Sequence, residues 1–141
     1  MSETSSRVIP MSYMGIPFSQ DPTGSRAAIL GIPFDCGTHP TRIGARQGPD
    51  AIRTQSSLVR PYYPPDFDFN PLELLNLVDC GNVTCVAGEV ESAMTTIESA
   101  VSEICQAGAV PVTMGGDGLV SLPQLRALSK MHTDLALIHI D

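Results

Sequence analysis

Glu89–Gly116, EVESAMTTIESAVSEICQAGAVPVTMGG, is the stretch from which the fold is read. Its first part sets Val90, Ala93, Met94, Ile97, Ala100, Val101 and Ile104 at i, i+3, i+4 and i+7, which lines one face of an α-helix with apolar side chains. The ends agree with that period. Glu89 and Glu91 stand in the first turn, where the helix dipole favours negative charge, and Gly108 can take the left-handed conformation that stops a helix. The run AVPVTMGG follows at once and reads as a strand. A helix feeding directly into a short strand is part of a β-α-β unit, so the flanking sequence is read for the same alternation.

On the carboxyl side, SLPQLRALSKMH (Ser121–His132) reads as a helix with Pro123 in its first turn, and DLALIHID (Asp134–Asp141) as a fourth strand. On the amino side, ELLNLVDCGNV (Glu73–Val83) reads as a strand, and AAILGIPFD (Ala27–Asp35) as another, apolar enough to be buried on both faces. Between them GARQGPDAIRTQSSLV (Gly44–Val59) carries a short helix, with Pro49 in its first turn and Ala51, Ile52 and Leu58 as its apolar face. The prolines of RPYYPPDFDFNP (Arg60–Pro71) exclude a helix and predict an irregular surface loop. Residues 1–26, which lack apolar periodicity, are expected to be an arm over the surface, able to pack on a partner subunit; residues 27–141 are expected to form the α/β domain. The order β-α-β-α-β-α-β predicts a parallel sheet whose right-handed crossovers bury both faces.

The chain has 141 residues and a formal net charge of −7, with no local run of lysine or arginine, which argues against nucleic acid and anionic membrane surfaces as partners. No apolar stretch reaches the roughly 18 residues that span a bilayer, and Met1–Arg26 is too polar and proline-broken for a signal peptide, so a cytoplasmic protein is expected. The cysteines at 36, 80, 85 and 105 include no C-x-x-C pair and read as small hydrophobes in or near the core, not as a zinc site or a disulfide framework.

In parallel sheets, ligands gather beyond the carboxyl ends of the strands. Asp35, Asp79, Asp117 and Asp141 stand on or near those ends. Each alone is the residue type of a helix cap or a turn. Together they also make the donor set of a divalent-cation rim, because carboxylates at one sheet end repel unless they are bonded or neutralised. His139 lies two residues before Asp141, on the same side of a strand, either as a buried and satisfied histidine or as a neighbour of that carboxylate. Arg42, Arg46 and Arg53 read as local ion-pair partners of loop aspartates, with anion binding as the alternative. His39 reads as an exposed loop residue that can reach the pocket rim, and Asp66 and Asp68 as part of a solvated turn. MGGDGLVS (Met114–Ser121) has neither the Lys-Ser/Thr of a P-loop nor the G-x-G-x-x-G order, so it does not signal a nucleotide site.

Taken together, these segments resemble the ureohydrolases, the arginase and agmatinase superfamily, in its agmatinase-type branch. GIPFDCGTHPTRIGARQGPDAIR (Gly31–Arg53) resembles the loop after the first core strand, and LVDCGNV (Leu77–Val83) the second-strand signature. GGDGLVSLPQLRAL (Gly115–Leu128) resembles the Gly-Gly-Asp-His segment, and LIHID (Leu137–Asp141) the opening of the Asp-Ala-His-x-Asp segment. The resemblance covers Ala27–Asp141. It implies an arginase-like three-layer α/β/α fold, incomplete here and present in its amino-terminal part. It also implies a binuclear manganese (Mn2+) centre that hydrolyses a linear guanidino compound, such as agmatine or a guanidino acid, to urea and an amine, in a homo-oligomer. By the same resemblance Asp141 is a metal-bridging carboxylate and Asp117 a supporting residue, with His139 beside them. Gly118 falls where the family has a metal-binding histidine, and it has no side chain to offer. The later ligands and substrate-holding residues of the family are absent, so no catalytic residue is assigned within these 141 residues. The segment alone is expected to be inactive, with strand four as an exposed apolar edge. The alternative, favoured by Gly118, is a non-catalytic ureohydrolase-like protein that associates with an intact relative. A small-ligand module on a flavodoxin-like sheet requires only the fold.

Overall fold

The computed structural model describes residues 11–35, 37–39, 41–59, 69–86 and 88–140. Three parallel strands, β1 (Ala27–Gly31), β2 (Leu77–Asn82) and β3 (Val110–Met114), form a sheet in the order β2-β1-β3. Helices α1 (Gly48–Ser56) and α2 (Pro71–Leu74) lie between β1 and β2, α3 (Val90–Gln106) between β2 and β3, and α4 (Ser121–Ser129) after β3. Ala28 stands opposite Val78 on one side and Pro111 on the other, so β1 is the central strand, and all its residues are buried. The predicted parallel α/β alternation is present as far as α4.

One face of the sheet carries the main core. The predicted stripe of α3 is the buried one: Ala93, Met94, Ile97, Val101 and Ile104 are shielded from solvent and pack with Ala28, Leu30 and Val78 of the sheet and Ala127 of α4. Burying a side chain of this size contributes about 1.5–3 kcal/mol, so this face supplies most of the driving force for folding. Gly108 ends the helix at φ 81°, as its position predicts. On the opposite face Ile29, Met114 and Ile16 form a smaller cluster with Tyr13, Leu72 and Leu77. A cleft of about 490 Å3 opens beside it, bordered by Tyr13, Ile52, Leu72, Leu77, Val112 and Met114.

Four expectations are corrected by the structure. In α1 the buried face is Pro49, Arg53 and Ser56, while Ala51, Ile52 and Leu58 are exposed, because the ion pair of Arg53 draws that side of the helix inward. The second strand starts at Leu77, since Asn70 caps α2 immediately before it: the Asn70 side chain accepts from Leu72 N at 3.0 Å and donates to Glu73 at 3.0 Å, with Pro71 at the first helical position. Residues 11–26 of the arm lie against their own sheet. Asp79 N donates to Pro17 O at 2.9 Å and Ser19 N to Asp79 O at 3.0 Å, which covers the outer edge of β2.

The fourth correction concerns residues 134–140, which form no strand; Ile138 and Ile140 are 88% and 90% exposed. A strand exists only through the partner that satisfies its backbone groups. The open edge of β3 offers few such groups. Val110 N bonds to Arg26 O and Met114 O accepts from Ile32 N, so by the alternation of a parallel ladder Pro111 and Thr113 are the residues that face outward. Pro111 has no N–H to donate.

Cys80, Cys85 and Cys105 are free, partly buried and packed against the core, and burial pushes all three thiols above their ordinary value, which suits inert packing. Cys36, Asp66 and Asp68 lie outside the described residues. No described helix is long and apolar enough to cross a membrane.

Candidate functional site

The chain beyond β1 and the chain beyond β3 are zipped together at the carboxyl edge of the sheet. Ile32 N donates to Met114 O at 2.8 Å, Gly116 N to Ile32 O at 3.2 Å and Asp117 N to Phe34 O at 3.0 Å. The approach is so close that a Cβ on Gly116 would lie 2.1 Å from Phe34 O, which explains why a glycine stands there.

Asp117 fastens the next layer. Its Oδ2 accepts from Gly37 N at 2.7 Å and Thr38 N at 3.1 Å, and its Oδ1 from Leu119 N at 3.0 Å. One carboxylate therefore caps the 3-10 turn Gly118–Val120 and clamps the loop after β1 to it. Gly118 begins that turn with a backbone outside the left-handed region, and among the described residues a Cβ there would meet only Thr38 Cγ2, at 3.9 Å. The fold needs glycine at 116, and nothing among the described residues requires it at 118. The missing side chain at 118 is a chemical feature of this chain.

Two of the four strand-end aspartates are neutralised by arginines. Asp35 is buried and accepts from Arg46 Nε at 2.8 Å, from Arg46 Nη2 and from Gly44 N at 2.7 Å. The Arg46 guanidinium holds its carboxyl far below the usual range, against the upward push of burial. Asp79 is fully buried between α1, β2 and the arm, taking Arg53 Nε and Nη2 at 2.8 Å each, Tyr13 N at 2.8 Å and Gly81 N at 2.9 Å. Burial pushes Asp79 up, but Arg53 and the two backbone donors outweigh it and hold the carboxyl below its ordinary value. Arg53 reaches on to Asn82 at 2.6 Å, and Asn82 to Asp50 at 2.8 Å. The local ion-pair reading of Arg46 and Arg53 is the structural one. The divalent-cation rim is corrected: Asp35, Asp79 and Asp117 have their oxygens taken by protein donors. Among the described residues no group of three or more His, Cys, Asp or Glu side chains is gathered to hold a metal ion, so these residues do not fit a metal centre by themselves.

His39 is exposed at the tip of the loop after β1, where Arg42 N donates to His39 O at 3.2 Å and closes a turn. His139 is exposed on the unpaired segment 135–140, which removes the buried-histidine alternative. Asp141 lies outside the described residues. The double clamp of Asp117 and the chain Asp79–Arg53–Asn82–Asp50 are absent from the sequence reading. Pro49, Arg53 and Ser56 at i, i+4 and i+7 carried the signal for the second, since a helical face with arginine at its centre demands a buried anion.

The family model described as Arginase family matches residues 25–141. Guanidinobutyrase of Pseudomonas aeruginosa is 37% identical over 133 residues, covering 92% of this chain and 41% of that protein. Among solved structures, proclavaminate amidino hydrolase from Streptomyces clavuligerus superposes with a TM-score of 0.86 at 33% identity, over 96% of this chain and 44% of that one. Formiminoglutamase from Trypanosoma cruzi, solved with manganese, superposes with a TM-score of 0.64 at 28% identity, over 76% of this chain and 37% of that one. The chain spans about two fifths of the length of the curated relatives it matches.

Proposed function

The chain belongs to the arginase family, and from that membership we propose that it serves the hydrolysis of a linear guanidino compound, releasing urea and leaving an amine. The observation that carries this reading is the meeting of its two family-like segments at one point: Asp117 of the Gly-Gly-Asp turn holds Gly37 and Thr38 of the loop after β1 beside position 118. In this reading Asp117 is a positioning residue that sets the loop and the turn relative to each other. Asp35 and Arg46 hold the far end of the same loop. Asp141, with His139 two residues before it, is the proposed metal-side carboxylate on the strength of the resemblance. Manganese is the ion assigned, in a homo-oligomer in the cytoplasm. The described residues do not make its site, so its donors in this reading come from Asp141 and from outside those residues.

Urea release tests the proposal. The protein at its full natural length is expected to release urea from agmatine or from a guanidino acid. Residues 1–141 alone are expected to release none and to bind manganese weakly. The reading fails if the natural-length protein leaves every linear guanidino compound intact.

A second reading rests on Gly118. Because the described residues leave room for a side chain there, the lack of a ligand fits a non-catalytic member that associates with an intact relative. It predicts no urea from this protein by itself, and a change in the rate of an active relative on mixing.

A further inference from the structure

Helix α1 is held at two places. At its middle the buried Arg53 guanidinium donates to both oxygens of Asp79, to Asn82 Oδ1 at 2.6 Å and to Gly81 O at 3.0 Å. The same Asp79 carboxylate accepts from Tyr13 N, and Ser56 Oγ, nearly one turn further along α1, accepts from Met14 N at 2.8 Å. The helix, β2 and the arm therefore share one junction. At its start α1 runs directly against backbone. Gly48 has an ordinary helical φ of −53°, yet a Cβ on it would lie 2.9 Å from Gly115 O. Glycine stands there because of proximity and not because of its own conformation. A Cβ on Gly31 would likewise lie 2.9 Å from Pro49 Cβ, so the first turn of α1 is set tightly on the carboxyl ends of β1 and β3. Gly115 leads straight into Gly116 and Asp117, the residues that fasten the loop after β1.

We propose that α1 works as a lever: the Asp79–Arg53 pair sets its tilt, and its first turn sets the position of the Gly115–Asp117 turn beside position 118. Arg53 is then a positioning residue for the candidate site, acting through Gly48 and Gly115. The effect on urea release rests on the ureohydrolase reading, whereas the effect on the turn stands without it. Gly48 lies five residues from Arg53, about 7.5 Å along the helix at 1.5 Å per residue, so a small rotation about the ion pair moves the first turn appreciably. The zip of Gly116 and Asp117 to Ile32 and Phe34 holds the turn to β1, and Gly48 is the wall on which the preceding carbonyl rests. Close-packed contacts of this kind pass a displacement on and do not absorb it.

Hydrogen exchange followed by mass spectrometry on the protein at its full natural length reads the turn directly. The reporting peptides carry Gly37–Thr38 and Gly116–Val120, whose amides are bonded in the clamp and the zip, and α3 is the internal reference. Two variants disturb the lever at its two ends. Arg53→Met with Asp79→Asn removes both charges together and leaves no buried charge unpaired. Gly48→Ala keeps the ion pair and presses a methyl group on Gly115 O, at a helical position where alanine is ordinarily the better residue. Both are expected to raise exchange at the two peptides by about tenfold while α3 exchanges as before. In both, kcat for urea release is expected to fall about tenfold or more with KM changed by less than about threefold, the mark of misplaced groups and not of lost binding. Unchanged exchange at the two peptides overturns the inference. A rise of equal size in α3 in both variants also overturns it, because the residues would then only hold the fold together. If the protein releases no urea from any guanidino compound, the ureohydrolase reading falls, and the exchange pattern still decides whether α1 positions the turn.

Discussion

Asp117 accepts three backbone N–H groups from two segments, and a substitution that removes its oxygens leaves all three unpaired in a partly buried place. Asp117→Ala is therefore expected to cost about 2–4 kcal/mol, more than an ordinary cap, measured as a shift of the urea midpoint with an unchanged slope. The pair of glycines around it behaves in opposite ways. Gly116→Ala forces a Cβ into the Phe34 carbonyl and should either prevent folding or lower the melting temperature by more than 5 °C, the shift expected from about 2 kcal/mol in a domain of this size. At Gly118→His the new Cβ meets, among the described residues, only Thr38 Cγ2, and the substitution should change stability by less than about 1 kcal/mol by the same measurement. A large loss at 118 would show that the fold itself demands glycine there and would remove the chemical argument built on that position. These contrasts are invisible in the letters Gly-Gly-Asp-Gly. The sequence marks a turn, and the distance to the next backbone decides which glycine is obligatory.

Among the elements, α3 is the one that the sequence specified most fully, because its seven apolar positions share one period and one face. Ile97 has no exposed surface, and Ile97→Ala is expected to cost about 2–5 kcal/mol in a chemical denaturation series, the range for a cavity that neighbouring side chains cannot refill. In α1 the same kind of reading chose the wrong face. Ile52 borders the cleft and Leu58 is exposed, while Arg53 is buried with its partner Asp79 on a strand 26 residues away. Arg53→Met leaves the Asp79 carboxylate buried without its cation and is expected to cost about 3–5 kcal/mol by the same denaturation measurement, unless Asp79→Asn is made with it. A second lesson lies in β3. Pro111 occupies the outward-facing position of the open edge, where its missing N–H costs nothing and denies a donor to another strand. Pro111→Val should restore that donor and raise self-association, seen as increased light scattering at equal concentration; unchanged scattering would mean that the edge is protected by something else.

For the molecule as a whole, stability in acid is expected to depend on two aspartate–arginine pairs, Asp79–Arg53, which is buried, and Asp35–Arg46, whose arginine is 40% exposed, which tie the arm, α1 and the loop after β1 to the sheet. Asp35 and Asp79 both titrate lower in the folded chain than their ordinary value of about 3.9. The stability they contribute is full above about pH 4 and is lost as the pH falls below it towards their folded values. Melting temperatures are therefore expected to hold steady from neutral pH down to about pH 5 and to fall steeply below pH 4. Asp35→Asn should lower the plateau and flatten that acid limb. A limb of unchanged slope in this variant would place the acid sensitivity elsewhere.

The alternation of strand and helix, the period of α3, the caps at Gly108 and Asp117 and the family-like segments were legible in the sequence because each depends on residues close together along the chain. What only the tertiary structure decided is where partners from distant segments meet. It placed Arg53 against Asp79, Asp35 against Arg46 and the arm against β2, and it left residues 134–140 unpaired although their composition is that of a strand. The physical reason is that local preferences follow from backbone sterics and side-chain period, whereas a buried charge, a strand or a site forms only when a complementary group arrives through space. Apolar letters state that a segment is to be covered, and they do not name the surface that covers it.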